Sequence, residues 1–252
     1  MSTNKRETRY INDLYSIDVP VLDADEIRSL GYRTGGSSGI PITPTGINEL
    51  WRLTDDSALW RENGICRLPS GGWLVSVLTE MPFVRPEMIP WWFWWYPQDP
   101  ERFRVWFPGE HFDISVREDY MYDGPFLDFF PSTHYPVETF GGKKLHLIMQ
   151  FTEPTEFGFS RNSYPDKGID RIITANLGIK LGGIQHSKTA HIFRRTRRGM
   201  EVISRYWMGE KILPAFQRKY FTEENIHEVA MHCRREYMRL GQILPGLYNE
   251  FR

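Results

Sequence analysis

Between Thr222 and Leu240 apolar side chains recur every three and four residues, at Ile226, Val229, Ala230, Cys233, Tyr237 and Leu240. This spacing predicts one long helix with a single core-facing stripe. His232 and Glu236 stand one turn apart on the flank of that stripe. Upstream the period falls to two. GICRL and GWLVSVLT, joined by Pro69-Ser70-Gly71-Gly72, read as a hairpin, as do HYPVETF and LHLIMQF around Gly141-Gly142-Lys143-Lys144. IDRIITANLGI and KTAHIFRR are two further strands. In GMEVISRYWMG the alternation of Val202, Ser204 and Tyr206 with Ile203, Arg205 and Trp207 predicts another. WWFWW, residues 91–95, is apolar on every side, so a helix there is either buried all round or lines a cavity with one face. DPERFRVWF continues as a helix that ends at Pro108-Gly109. Nearer the start, DADEIRSL reads as a capped helix, TGGSSGIPITPTG as a loop, INELWRL as helical, and residues 1–20 as a loose arm whose Tyr10, Ile11, Leu14 and Tyr15 could lie against the body of the protein.

The fold class that follows is α+β, a curved antiparallel sheet closed by one long C-terminal helix, with the ligand cavity between them. A single domain is expected over 1–252. It comprises the arm (1–20), a portion of helices, hairpin and aromatic segment (21–110), and a sheet-and-helix core (111–252). With 252 residues the chain can bury a sizeable core. A net charge of −1 excludes any global attraction to nucleic acid or to a membrane surface. The basic run Arg194, Arg195, Arg197, Arg198 reads as a solvated turn. Cys66 and Cys233 lack CxxC spacing and argue against a disulfide framework, which fits a reducing, cytoplasmic setting. MSTNKRETRY is polar where a signal peptide is apolar, and no segment reaches the length of a membrane span. Nothing sets the oligomeric state; a homodimer is one option. Aromatic residues, at 15%, are abundant and make flat walls for an apolar ligand.

An imidazole and a carboxylate one helical turn apart form half of a divalent-metal site, and equally an ordinary i,i+4 hydrogen bond. The remaining histidines are His111, His134, His146, His186, His191 and His227. His227 is expected to face solvent, His146 sits mid-strand and His186 in a loop. His111 differs, because it follows a Pro-Gly break where the backbone can turn a side chain into the cavity. Glu138 alternates with Val137 and Thr139, which permits an inward face.

In chain order, WWFWW, RFRVWFPGEH, VETFGG and HCRREYMRLGQILPGLY resemble segments of the 2,4-diacetylphloroglucinol and phloretin hydrolases, and the resemblance runs from about Pro82 to Tyr248. It implies a helix-grip fold like that of the birch-pollen allergen, with an added N-terminal portion, and a zinc ion held by two histidines and two glutamates. Position by position these are His111, Glu138, His232 and Glu236. It also implies that His191 hydrogen-bonds the substrate and that Tyr206 is a pocket tyrosine, either of them a candidate proton donor. Trp91, Trp92, Trp95, Phe103 and Phe107 are then expected to contact a small aromatic or polyketide substrate. Phe103 stands where these hydrolases tend to carry a tyrosine, and Phe107 where many have histidine, which points to a different substrate. The implied reaction is zinc-dependent hydrolysis of the carbon–carbon bond between an acyl group and a phenolic or enolisable ring. Two alternatives stay open: a zinc-dependent cyclase, isomerase or lyase, and a carrier of an aromatic ligand.

Overall fold

The computed structural model describes residues 5–32, 43–49, 52–53, 59–117, 132–140, 143–159, 168–180, 185–210 and 212–252. Eight strands make one antiparallel sheet: β1 (Gly64–Arg67), β2 (Trp73–Pro82), β3 (His111–Val116), β4 (Ser132–Phe140), β5 (Lys143–Thr152), β6 (Ile169–Ile179), β7 (Gln185–Arg195) and β8 (Gly199–Met208). Their order is β1-β2-β8-β7-β6-β5-β4-β3. The α-helices bounded within the described residues are α1 (Lys5–Leu14), α2 (Ala24–Ser29), α3 (Met88–Trp95), α4 (Pro100–Trp106), α5 (Pro214–Tyr220) and α6 (Glu223–Phe251). The arrangement is a helix grip, because the apolar stripe of α6 fills the inner face of the curved sheet. Ile226, Ala230, Cys233, Tyr237, Leu240 and Leu244 share one core with Val75, Val77, Ile173, Phe193 and Val202. The outer face carries a second, smaller core, in which Ala190, Ile192, Ile203 and Trp207 meet Leu59, Trp60, Phe157 and Phe159.

The long helix starts as its sequence dictates. The Thr222 hydroxyl accepts from the Asn225 amide at 3.2 Å, and Glu223 and Glu224 occupy the positive first turn. It continues past Leu240 to Phe251, although Gly241 and Pro245 are stop signals. A proline inside a helix costs about 3 kcal/mol. Burying Ile243, Leu244, Leu247 and Tyr248 contributes roughly 1.5–3 kcal/mol for each large apolar side chain, which outweighs it. Gly241 also has a packing reason, since a Cβ there would lie 3.3 Å from the Met81 backbone of β2.

The expected loose arm is a correction. Residues 5–14 form α1, with Ile11 and Leu14 buried and Glu7 paired with Arg102 of α4 at 2.7 Å. The buried Arg239 of α6 donates to the Leu14 and Ile17 carbonyls at 2.7 and 2.9 Å, supplying partners that the end of a helix lacks. At α2 the expected cap forms at Asp23, and Glu26 completes it as a full capping box. INELWRL yields a short 3-10 turn at Ile47–Glu49. Residues 34–42 of the Gly/Ser/Pro loop and the Gly141-Gly142 turn lie outside the described residues. Two arginines of the basic run are ion-paired, Arg194 to Glu201 and Arg195 to Asp170, and both cysteines are buried and free. Among the described residues, no helix is long and apolar enough to cross a membrane.

Candidate active site

Strand register builds the site. β3 and β4 pair so that His111 faces Glu138, and a register shift between His111 and Asp113 bends β3 where it begins. Period two then places His134, Pro136 and Glu138 on one face of β4. In the β7/β8 pair, Thr189 faces Tyr206 and His191 faces Ser204, so these four side chains are immediate neighbours. Helix α6 approaches the same space with His232, Glu236 and Tyr237.

Ligating atoms of His111, Glu138 and His232 lie within 4.8 Å of one another, all three residues being buried. Glu236 joins this group through His232, with Oε2 3.9 Å from Nε2, the same distance that separates Nε2 from Glu138 Oε2. These contacts are not ion pairs. Burial, and then the nearby Arg235, push the His232 imidazole down to about 3, so it is neutral. Burial likewise lowers His111 far below its ordinary value, with His232 adding to the effect. The carboxyls move the opposite way: burial pushes Glu138 up to about 8 and raises Glu236 well above the usual range, with Glu138 as the second cause.

The donor set suits a divalent cation. Burial favours the protonated carboxyls, whereas a bound dication would displace those protons and be neutralised by two carboxylates beside two neutral imidazoles. At His111, Nδ1 lies 3.2 Å from the Phe103 carbonyl, which can only accept; the ring proton is therefore on Nδ1. Nε2 keeps a lone pair, is buried, and has no hydrogen-bond partner among the described residues. A carbonyl that fixes the tautomer and frees the other nitrogen is the usual support of a metal-ligating histidine. The donor atoms, 3.9 to 4.8 Å apart, are spread somewhat wider than the about 3.4 Å expected around a tetrahedral zinc.

The surroundings brace these groups. Phe103 stacks flat on His111, with ring centres 4.1 Å apart and planes at 9°. Trp106 stands edge-on to His111 at 5.2 Å and donates its indole N–H to the Glu236 carbonyl at 3.1 Å. Glu110, beside His111, places Oε2 4.0 Å from His232 Nδ1 and Oε1 3.8 Å from Arg235.

An enclosed cavity opens from this cluster. Phe93, Tyr96, Phe103 and Trp106 form one wall, and His134, Thr189, His191, Tyr206 and Tyr237 are among the polar groups on the others. Burial pushes His191 down to about 3 and holds it neutral. Thr189 Oγ1 donates to the Arg205 carbonyl at 3.1 Å, so it accepts from His191 Nε2–H at 3.2 Å, and His191 Nδ1 accepts from Ser204 Oγ at 2.8 Å. Burial, followed by Cys233, Glu236 and Tyr237, raises the Tyr206 hydroxyl well above its ordinary value, which keeps it protonated.

The tryptophans expected at the cavity are elsewhere, which is a second correction. Trp91 stacks on Trp95 at 5.1 Å and meets Tyr248 edge-on at 5.4 Å, while Trp92 packs on Tyr96 and Trp106. None of Trp91, Trp92 and Trp95 lines the cavity; the face of α3 turned to the sheet is that of Phe93, which meets Phe151 and Phe193. Phe103 lines the cavity, whereas Phe107 is fully buried against the His232 ring at 4.8 Å and the His111 ring at 5.7 Å. Trp106, Tyr96, Tyr237, Thr189 and His134 were not singled out from the sequence. Alternation along the strands was the signal for two of them, because Thr189 shares a face with His191 and His134 with Glu138.

The family model for the DAPG hydrolase PhiG domain matches residues 45–249. The chain belongs to the DAPG hydrolase family. Among relatives, the 2,4-diacetylphloroglucinol hydrolase of Pseudomonas protegens is 27% identical over 230 residues, covering 83% of this chain and 75% of that protein. The phloretin hydrolase of Eubacterium ramulus is 26% identical over 202 residues, covering 70% and 68%. Solved structures that align with this family member include Ara h 8.0201, at TM-score 0.42 and 8% identity over 69% of this chain and 99% of that one. Ms6760 from Mycobacterium smegmatis aligns at TM-score 0.41 and 13% identity, over 72% and 96%. At that distance neither bears on the chemistry of the site.

The position of Trp106 has a spectroscopic consequence. An aromatic ligand in the cavity is expected to quench or shift tryptophan emission, and Trp106→Phe to remove most of that response while Trp91→Phe preserves it. An undiminished response in Trp106→Phe would place the ligand outside this cavity.

Proposed function

We propose that this chain is a zinc-dependent hydrolase that breaks the bond between an acyl carbon and the ring carbon of an acylated polyhydroxyphenol. One observation carries the reading: a buried set of two histidines and two carboxylates opens onto an aromatic-walled cavity, in a member of the DAPG hydrolase family. Relatives are named for action on 2,4-diacetylphloroglucinol and on phloretin. In the balanced reaction the oxygen of water bonds to the acyl carbon and the carbon–carbon bond breaks. Its electron pair stays on the ring carbon, which takes up a proton. The products are a carboxylic acid and the deacylated phenol.

His111, Glu138, His232 and Glu236 would hold the ion. When bound, zinc supplies Lewis acidity, which makes water a stronger acid and a ketone carbonyl a better electrophile. Phe93, Phe103 and Trp106 offer flat apolar surfaces that orient a ring and exclude bulk water. Tyr206 is the candidate proton donor for the ring carbon, since it lines the cavity with an O–H, whereas the one ring proton of His191 is directed at Thr189. His191 acts by position: its one ring proton is directed at Thr189, so a substrate hydroxyl binds by displacing the rotatable Thr189 or Ser204 hydroxyl. Without a hydroxyl, Phe103 makes no such bond and serves as a stacking partner of His111.

The test is to incubate the zinc-loaded protein with a panel of acylated phloroglucinols and follow products by mass. Hydrolysis yields an acid and a phenol whose masses sum to substrate plus water. Tyr206→Phe is expected to slow this about a hundredfold, at the low end of general-acid contributions, with zinc content and melting temperature unchanged. A product of unchanged mass would show an isomerase instead, and binding without any product a carrier.

A further inference from the structure

We propose that His134 is a second polar anchor in the cavity, which takes a neutral hydroxyl or carbonyl group on the part of the substrate remote from the bond that breaks. The remoteness rests on the proposed function, which places the scissile carbonyl at the His111, Glu138, His232 and Glu236 cluster.

His134 has no exposed surface, yet it lines the cavity. Its ring is held from two sides, edge-on to Phe151 with centres 4.8 Å apart and to Tyr96 at 6.2 Å. Nδ1 lies 3.5 Å from the Tyr96 hydroxyl, at the limit of a hydrogen bond, and Nε2 has no partner among the described residues. Cross-strand neighbours cannot serve it, because the residues paired with His134 are Met149 of β5 and Val116 of β3. A buried nitrogen without a partner is costly in a folded protein and calls for a ligand, an ion or another explanation. Here the open direction is the cavity. Burial pushes His134 down to about 3, so the ring is neutral and offers one donor and one acceptor, a match for a hydroxyl or carbonyl rather than for a carboxylate.

Position along β4 separates the two ends of the cavity. His134 and Glu138 are on the same face of an extended strand, so their Cα atoms are about 13 Å apart. His134 therefore meets a different part of a ligand from the one held at the His111, Glu138, His232 and Glu236 cluster. A phenolic ketone with a further hydroxyl or carbonyl beyond the acylated ring, or at the end of the acyl chain, is the class that would use both.

Phloretin and its analogue lacking the hydroxyl on the remote phenyl ring are the probes, each titrated calorimetrically against the zinc-loaded protein and also assayed for turnover. Wild type is expected to bind phloretin on the order of tenfold more tightly than the analogue, the value of one neutral hydrogen bond. His134→Phe should bring that ratio close to one by weakening phloretin alone, with KM rising and kcat little changed. His134→Gln, which keeps a donor and an acceptor, should restore part of the preference and guards against a folding defect in the phenylalanine variant. The anchor is refuted if wild type shows no preference, if the ratio persists in His134→Phe, or if both ligands weaken equally. Binding decides the anchor, whereas turnover decides the hydrolase reading, so either can fail alone.

Discussion

Replacing His232 with alanine is expected to strip zinc from the protein and to lower turnover on the order of a thousandfold or more, the scale of several kcal/mol that a metal ion contributes to such a transition state. His232 is the hub of the donor set: Nε2 is 3.9 Å from carboxylate oxygens of both Glu138 and Glu236, and His111 completes the group from the edge strand. Each histidine supplies one of the two imidazole donors, and either loss leaves a three-donor set with a single nitrogen, so His111→Ala should deplete the metal as severely as His232→Ala. Elemental analysis after dialysis against a weak chelator, alongside the rate, makes the comparison. Full zinc occupancy in either variant would show that the ion is held elsewhere. Phe107→Leu is the useful control, since it alters packing against both rings without removing a donor.

The largest stability effect should come from the aromatic segment. Trp92→Ala is expected to destabilise the fold by about 3–5 kcal/mol, the usual range for deleting a large buried aromatic side chain. Trp92 has no exposed surface and touches Trp95, Tyr96 and Trp106 with ring centres 5.3 to 5.6 Å away. Denaturant unfolding followed by circular dichroism gives the number. A loss below about 1 kcal/mol would contradict a core role and return Trp92 to the binding surface.

These variants divide between what the sequence makes legible and what only the fold reveals. Alternation and the 3.6-residue period carry information about one element at a time. They suffice for α6 as far as Leu240, for both hairpins and for the strand carrying Ser204 and Tyr206. Pairing His111 with Glu138 is a contact between β3 and β4, and local periodicity says nothing about such a register; the family resemblance named those two residues where spacing left them undecided. The misplaced tryptophans have a different cause. A helix that is apolar all round has no preferred face, so whether Trp91, Trp92 or Phe93 meets the cavity depends on the neighbours of α3, here Tyr248, Trp106 and Phe193. His134 was overlooked because a mid-strand histidine is unremarkable until its partners are known. The N-terminal helix was overlooked because what fixes it, Arg239, lies at the other end of the chain.

The place of α6 in chain order governs how the protein is made. Every strand precedes it, so on the ribosome the whole sheet is available before the helix that fills its inner face. Val75, Val77, Ile173, Phe193 and Val202 then have no apolar partner until residues beyond Glu223 emerge. The first helix waits longest, because the guanidinium that receives its terminal carbonyls belongs to Arg239. The nascent chain thus passes through a stage that presents a wide, unfilled apolar surface and unpaired strand edges, the conditions under which a chain associates with its neighbours or needs a chaperone. The helix must be synthesised before the grip can close.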